Sequence, residues 1–469
     1  MVSTGLIAID ATILATAVPS IVRDLGGFTA FPWLFSVYLL AQVVSVPVYA
    51  KLADMFGRKP IMLFGIGLFV LGSVLCGVAW SMPALILFRA VQGLGAGAIQ
   101  PMSITIAGDI YTVAERARAQ GYIASIWGIS SVVGPTLGGL FSQLEIWRWI
   151  FFVNIPLGLF AGALIWRNFR EHIERRRHRI DYSGSVLLTV AMSLLILGIL
   201  EGGQAWAWTS VQSITVFAVG AALLVSFVFV ERRAAEPVLP LFLFRRRLVL
   251  TTSLIALGAG VIVIGLTSYV PTYLEGAIGA PPLVAGLALA ALTLGWPLAA
   301  TFSGRLLYLR YGFRPTVLTG ISFVFIGAVI LVLRAHAPNV VVVAAACFVM
   351  GLGMGLVVSP SLIAAQASVG WEERGVVTGA NMFARSIGSA VGVAVFGAIA
   401  NAIIANAGGP NSPQAIINGA AAVFLSVSVA VLLTAVAALC MPAVRAESVG
   451  PHARSEAPAR QDATEPAGA

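Results

Sequence analysis

Charge is what this sequence lacks most. Only 10% of its 469 residues are Asp, Glu, Lys or Arg, while 59% are hydrophobic. A soluble globular protein carries about 25% charged residues, and a water-facing surface cannot be covered with so few. The chain therefore reads as an integral membrane protein. Lysine is nearly missing: Lys51 and Lys59 are the only two, so the net charge of +9 is almost entirely arginine. Three cysteines, Cys76, Cys347 and Cys440, stand far apart in apolar stretches, which excludes a disulfide framework and a CxxC pair. Four histidines, His172, His178, His336 and His452, lie in loops or the tail and form no metal-ligand cluster. No Walker A sequence occurs, and the glycine-rich run at Gly93 follows no strand, so a nucleotide site is not expected. Loops large enough to carry the catalytic His, Asp or Glu of a membrane-embedded transferase are also missing. An enzyme is not expected, and neither is a resident cofactor or metal. The opening segment lacks the basic start of a signal peptide, and similar apolar segments recur along the whole chain.

Long apolar runs are what the chain has in abundance. A hydrocarbon core is crossed by roughly 20 apolar residues, and fourteen such runs are found, the first near 3–21 and the last near 420–441. Cytoplasmic loops carry the excess of Lys and Arg. With the N-terminus inside, the basic residues fall in inside segments except Arg23, Arg148 and Arg334 in outside loops and Arg89 and Arg385 within spans. That asymmetry predicts cytoplasmic N- and C-termini in a multi-pass protein of the cytoplasmic membrane. It also explains the +9 as a topology signal, so no nucleic acid partner is expected.

The chain repeats itself. "GLGAGAIQPMS" from Gly93 matches "GLGMGLVVSPS" from Gly351, and at the same offset Glu115 and Arg116 match Glu373 and Arg374, while Gly121, Gly134 and Gly139 match Gly379, Gly392 and Gly397. A weaker echo relates "AKLADMFGRKP" to "GRLLYLRYGFRP", with one residue inserted. Two parallel repeats of six spans are the pattern of two-bundle transporters with a central site. The expected architecture is an all-α membrane protein of six plus two plus six helices. An N-terminal six-helix bundle occupies 1–170, two additional central helices and basic loops 171–247, a C-terminal six-helix bundle 248–442, and a disordered cytoplasmic tail 443–469. The halves differ in charge: Arg89 corresponds to Cys347, and Tyr308 falls where Asp54 stands.

Four stretches carry a family resemblance. "AKLADMFGRKP" offers Leu52, Ala53, Asp54, Gly57, Arg58 and Lys59, with Ala50 where glycine is usual. "RAVQGLGAGAIQP" offers Arg89, Gln92, Gly93 and Gly95. "GYIASIWGISSVVGPTLGG" offers Gly121, Gly134, Pro135, Gly138 and Gly139, with Ser130 in place of a middle glycine. "WRWIFFVNIPLG" follows. Together they resemble the major facilitator superfamily, and within it the fourteen-span drug:proton antiporters, over the chain up to about residue 442. The resemblance implies that Asp54, Gly57, Arg58 and Lys59 form a gating loop latching the halves, with Asp109 a partner for Arg58. It implies exchange rather than uptake for the glycine-proline motif of the fifth span. Read without it, the first loop is a topogenic basic turn and the fifth span ordinary small-residue packing.

The opening helix, "GLIAIDATILATAVP", carries one carboxylate, Asp10, in an apolar run. Asp10, Thr12, Ile13, Ala17 and Pro19 resemble the subfamily's first-helix motif. An ionisable group inside a span is costly and marks a functional site by default. Burial disfavours the charged form of a carboxylate, the property a proton-exchanging site requires, so Asp10 is the expected proton-coupling residue with Arg89 its intramembrane partner. The alternative is a structural ion pair. Only nine residues precede Asp10 and no basic segment flanks the helix, so the helix is expected either to be short or to begin upstream. Polar and aromatic residues within spans that are candidates for a substrate cavity are Tyr38, Gln42, Gln100, Ser103, Gln366 and Asn381. No role for Arg385 follows from the sequence.

The expected function is proton-driven export of small amphipathic or lipophilic compounds, as in multidrug efflux and antibiotic resistance, by a monomer in the lipid bilayer with the proton gradient as energy source. The same fold exporting one specific lipid, siderophore or metabolite is the second reading. A transport-dead sensor and a membrane-embedded transferase are the others.

Overall fold

The computed structural model describes residues 1–26, 33–171, 181–202, 206–207, 209–234, 245–406 and 412–444. Fourteen long helices are built from them. The first half holds α1 (Val2–Leu25), α2 (Trp33–Phe56), α3 (Arg58–Gly77), α4 (Met82–Ile110), α5 (Val113–Gln143) and α6 (Trp149–Asn168, interrupted at Val153). Two helices follow, α7 (Tyr182–Glu201) and α8 (Val211–Glu231). The second half holds α9 (Arg247–Ile278), α10 (Pro282–Ser303), α11 (Phe313–Arg334), α12 (Val340–Ala367), α13 (Arg374–Asn406) and α14 (Pro413–Leu439). Eleven of the described helices are long and apolar enough to cross a membrane; α1, α5 and α7 stand at the first, fifth and seventh expected spans. Helices are the form such sequences must take, because lipid offers the backbone no hydrogen-bond partner.

Their starts are set by side-chain caps. Ser81 accepts the Ala84 N–H, Asn339 those of Val341 and Val342, and Ser412 that of Ala415, each satisfying backbone donors the first turn leaves free. Each half has its own main core. The second half buries one large cluster that includes Phe313, Phe396 and Phe424. The first half buries two smaller clusters, around Phe151 and around Phe69.

The sequence repeat is a structural repeat. Gly57, before α3, has φ 99° and ψ 158°, and Gly312, before α11, has φ 90° and ψ 171°. Both values lie where only glycine is comfortable, so each half makes the same tight turn. The extra residue of the second loop is absorbed by a π turn, Gly304–Tyr308, at the end of α10, where each hydrogen bond encloses one more residue.

The halves meet along two seams. In one, α2 runs antiparallel to α13, with Asp54 beside Gly375, Ala50 against Gly379 and Val46 clustered with Met382. In the other, α5 faces α10, with Gly121 packed onto Thr301. The added α7 lies over the first seam: Leu188, Met192 and Ile196 cluster with Val44 of α2 and Phe383 of α13, and Phe227 of α8 joins them. The tail expected to be disordered falls outside the described residues beyond Val444, as do most of the two basic connectors.

Candidate functional site

Asp10 sits in a closed polar cage within the first half. It is 1% exposed. Its Oδ2 accepts from Arg89 Nη1 at 2.7 Å, and its Oδ1 accepts from Gln92 Nε2 and Asn154 Nδ2, both at 2.8 Å. Gln92 Nε2 also donates to Ser73 Oγ at 2.8 Å, and Arg89 Nη1 to Gln92 Oε1 at 2.6 Å. The Arg89 guanidinium lies over the Tyr38 ring at 4.1 Å, and its Nε donates to the Leu34 carbonyl. Helices α1, α2, α3, α4 and α6 therefore converge on one carboxylate. Every hydrogen-bond partner of that carboxylate among the described residues is a donor. Sequence reasoning paired Asp10 with Arg89 but missed Ser73 and Asn154. Asn154 is the one amide within "WRWIFFVNIPLG", and that was its only signal.

A second centre lies at the basic end, between the halves. Arg58 is fully buried. Its Nη2 donates to Asp54 Oδ1 and to the Trp371 carbonyl, each at 2.6 Å; its Nε is 3.1 Å from Asp109 Oδ2; and its guanidinium stacks 3.6 Å from the Trp371 ring centroid. Asp54 in turn accepts the backbone N–H of Gly375 at 3.0 Å and of Val376 at 2.7 Å, capping the start of α13. Arg374 Nη1 donates to Asp109 Oδ1 at 3.0 Å. Two acids and two arginines thus alternate across the seam, with Trp371 closing over them. Gly57 makes the turn that starts α3 at Arg58. The structure brings Asp54, Arg58 and Asp109 together. It places Lys59 apart: its Nζ donates to the Trp166 carbonyl on α6, and Glu171 accepts the Arg58 and Lys59 backbone N–H groups. Arg374 and Trp371 were missed, although Arg374 matched Arg116 in the repeat.

At the opposite end the polar contacts among the described residues stay within each half. Arg148 Nη1 and Trp147 Nε1 both donate to Asp24, at 2.6 and 3.1 Å, and the Arg148 bond, foremost, holds the Asp24 carboxyl below its ordinary value. In the second half Tyr273 Oη donates to the Arg334 and Ala335 carbonyls. The molecule is latched at its basic end.

The remaining expected residues disperse. Gly134 packs against Thr12 of α1, whose Oγ1 donates to the Ser130 carbonyl at 2.9 Å, while Gly121 faces the other half. Gly138 and Gly139 lie on α5, and nothing comes within 4 Å of a Cβ built at Gly139. The side chain of Pro135 lies outside the described residues. Gln42 Nε2 donates to Gln100 Oε1 at 2.6 Å, linking α2 to α4. Tyr38 belongs to the Asp10 cage, and Ser103 lines a separate cavity of 500 Å³ with Met1, Met62 and Asn168. Gln366 donates to Thr378 Oγ1, and Asn381 to the Thr252 carbonyl, both within the second half. Gln42 and Gln100 alone of the six are neighbours bridging two first-half helices at mid-depth.

The sequence profile of the Major Facilitator Superfamily matches residues 1–393. The Multidrug transporter protein MdtP of Bacillus subtilis is 35% identical over 395 residues, covering 84% of this chain and 73% of that protein. Multidrug resistance protein 3 of the same organism is 35% identical over 401 residues, covering 85% and 78%. The crystal structure of the human organic anion transporter MFSD10 (TETRAN) has the same fold, with a TM-score of 0.65 at 16% identity over 93% of this chain and 97% of that one. Two repeated halves latched at one end, a carboxylate caged inside the first, and these similarities together show that the chain belongs to the major facilitator superfamily.

Proposed function

We propose that this protein is a proton-driven antiporter that exports small amphipathic compounds by alternating access. The observation that carries the reading is the buried network of Asp54, Arg58, Asp109 and Arg374, which among the described residues joins the halves at one end only. A two-bundle protein latched at one end is one of the two states that alternate access requires. Similarity to multidrug transporters supports efflux as the direction. The fourteen helices act as fourteen spans, with both termini and the latched basic end in the cytoplasm and the chain working as a monomer in the cytoplasmic membrane. The latched state then faces outward.

Coupling is assigned to Asp10. A proton reaching its carboxylate removes the counter-charge of Arg89, a buried pair whose separation is strongly unfavourable. The cage spans five helices of the first half, so its repacking shifts the whole bundle. No resident cofactor is needed; the proton gradient supplies the energy. The test is uptake of a panel of amphipathic dyes into inverted membrane vesicles under imposed pH gradients. Uptake that requires an acid interior and collapses with an uncoupler is expected. Uptake indifferent to the uncoupler overturns proton antiport, and unchanged coupling in Asp10→Asn overturns the residue assignment.

A further inference from the structure

Among the described residues, Arg385 is a charge without a partner. Arg89 is paired with Asp10, Arg58 with Asp54 and Asp109, and Arg374 with Asp109. Arg385 makes no side-chain hydrogen bond or ion pair among the described residues. It lies eleven residues into α13 from Arg374, or about 16 Å at 1.5 Å per residue. That is roughly the middle of a ~30 Å hydrocarbon core, too deep for the side chain to reach either aqueous boundary by extending along the helix.

Its direction follows from its neighbours. Val391 and Val395 are exposed and mark the outer face of α13. At 3.6 residues per turn, Arg385 stands roughly 80–120° away from them. On its own stripe, one turn to either side, Asn381 donates to the Thr252 carbonyl and Ser389 to the Gly260 carbonyl, both on α9. Two turns back, Thr378 accepts from Gln366 of α12. Arg385 thus faces inward between α9 and α12 and is still partly exposed.

The antiparallel pairing of α2 with α13 fixes what lies opposite. Asp54 meets Gly375, Ala50 meets Gly379 and Val46 meets Met382, so the next turn sets Gln42 level with Arg385 and Ser386. Gln42 is the residue that bonds to Gln100 of α4. A guanidinium from the second half and an amide pair from the first therefore share one depth, beyond the latch. The acids of the latch and the cage are already committed to other arginines, so they leave the counter-charge of Arg385 open to a ligand.

From this juxtaposition we infer that Arg385 is the anchoring residue of a binding site, between the halves, for amphipaths that carry a carboxylate. The planar fork of arginine matches a carboxylate in two parallel hydrogen bonds, and the desolvated setting strengthens them. The amide pair offers further donors. This inference rests on the exporter reading for the fate of the ligand, not for its binding. It directs that reading toward acidic compounds rather than lipophilic cations.

The experiment is titration calorimetry of the full chain in nanodiscs of zwitterionic lipid, with octanoate, octanamide and octyltrimethylammonium as probes. Wild type is expected to bind octanoate at least about ten-fold more tightly than octanamide and the ammonium more weakly still. Arg385→Gln and Arg385→Met are expected to lose the preference while keeping the octanamide affinity, and Ser389→Ala to retain it. A preference that survives in either neutral variant overturns the site. A wild-type chain that binds octanamide as well as octanoate overturns it without any variant. Binding is read without transport, so a chain that holds octanoate through Arg385 yet moves nothing in vesicles refutes the exporter reading and leaves the site standing.

Discussion

Tyr308 stands in the second half where Asp54 stands in the first, and each reaches across to the half it does not belong to. The Asp54 carboxylate accepts the Gly375 and Val376 N–H groups at the start of α13. Tyr308 Oη donates to the Val113 carbonyl at the start of α5. One repeat position thus fastens both seams, with an acceptor on one side and a donor on the other.

Asp54→Asn is therefore expected to weaken the latch more than Tyr308→Phe. Hydrogen bonds to a charged group contribute about 1.5–3 kcal/mol, and those between neutral groups about 1 kcal/mol. Spin labels at the exposed Phe56 and Tyr311, read by electron–electron double resonance, should show a larger long-distance population in Asp54→Asn than in Tyr308→Phe, and least in wild type.

The Asp10 cage predicts a pattern of coupled losses. Asp10→Asn leaves Arg89 buried without a counter-charge, at a cost of about 3–5 kcal/mol. Removing both charges in Asp10→Asn with Arg89→Gln is expected to cost less than either single change predicts by addition. Thermal unfolding of the purified chain in detergent measures all three. A double variant as unstable as the sum of the singles would show that the two residues do not act as a pair.

The matched turns give a prediction in duplicate. Gly57→Ala and Gly312→Ala each force a side chain into a glycine-only region of backbone space, at about 1–3 kcal/mol. Thermal unfolding should place the two losses close together, since φ and ψ nearly coincide. Only Gly57→Ala should also lengthen the distance between labels at Phe56 and Tyr311, because only that turn leads into Arg58.

The pH dependence of the end opposite the latch follows from Asp24. Its carboxyl is held below the ordinary value, chiefly by Arg148. A depressed carboxyl stabilises the fold above its unfolded value, about 3.9, and that contribution is lost as pH falls through the depressed folded value. The pair is half exposed, so its worth is below about 1 kcal/mol. The stability difference between wild type and Asp24→Asn should be constant above about pH 5 and vanish in stronger acid.

Much of this was legible in the sequence because membrane proteins write their helices in long apolar runs, and repeats write themselves twice. Gly93 and Gly351, with the Glu-Arg pairs that follow them, revealed two halves before any coordinates. Arg58 and Asp109, partners that the family resemblance implied, lie 3.1 Å apart. Facing was not legible. The sequence could not show that Tyr38 turns toward Arg89 inside one bundle, because a helix that is apolar all round carries no amphipathic stripe. Nor could it show Asn154 in the Asp10 cage, where a single amide among aromatic residues gives no periodic signal. Arg385 was visible from the start, and only the pairing of Arg58, Arg89 and Arg374 with acids set it apart.

The two central helices make the circumference of the molecule unequal. Along the junction of α2 with α13, the side chains of Leu188, Met192 and Ile196 form a second wall; along the junction of α5 with α10, the first wall is the only one described. A lipophilic compound diffusing sideways within the bilayer meets a double barrier on one flank and a single, glycine-rich barrier on the other. The doubled repeat has thereby acquired a front and a back.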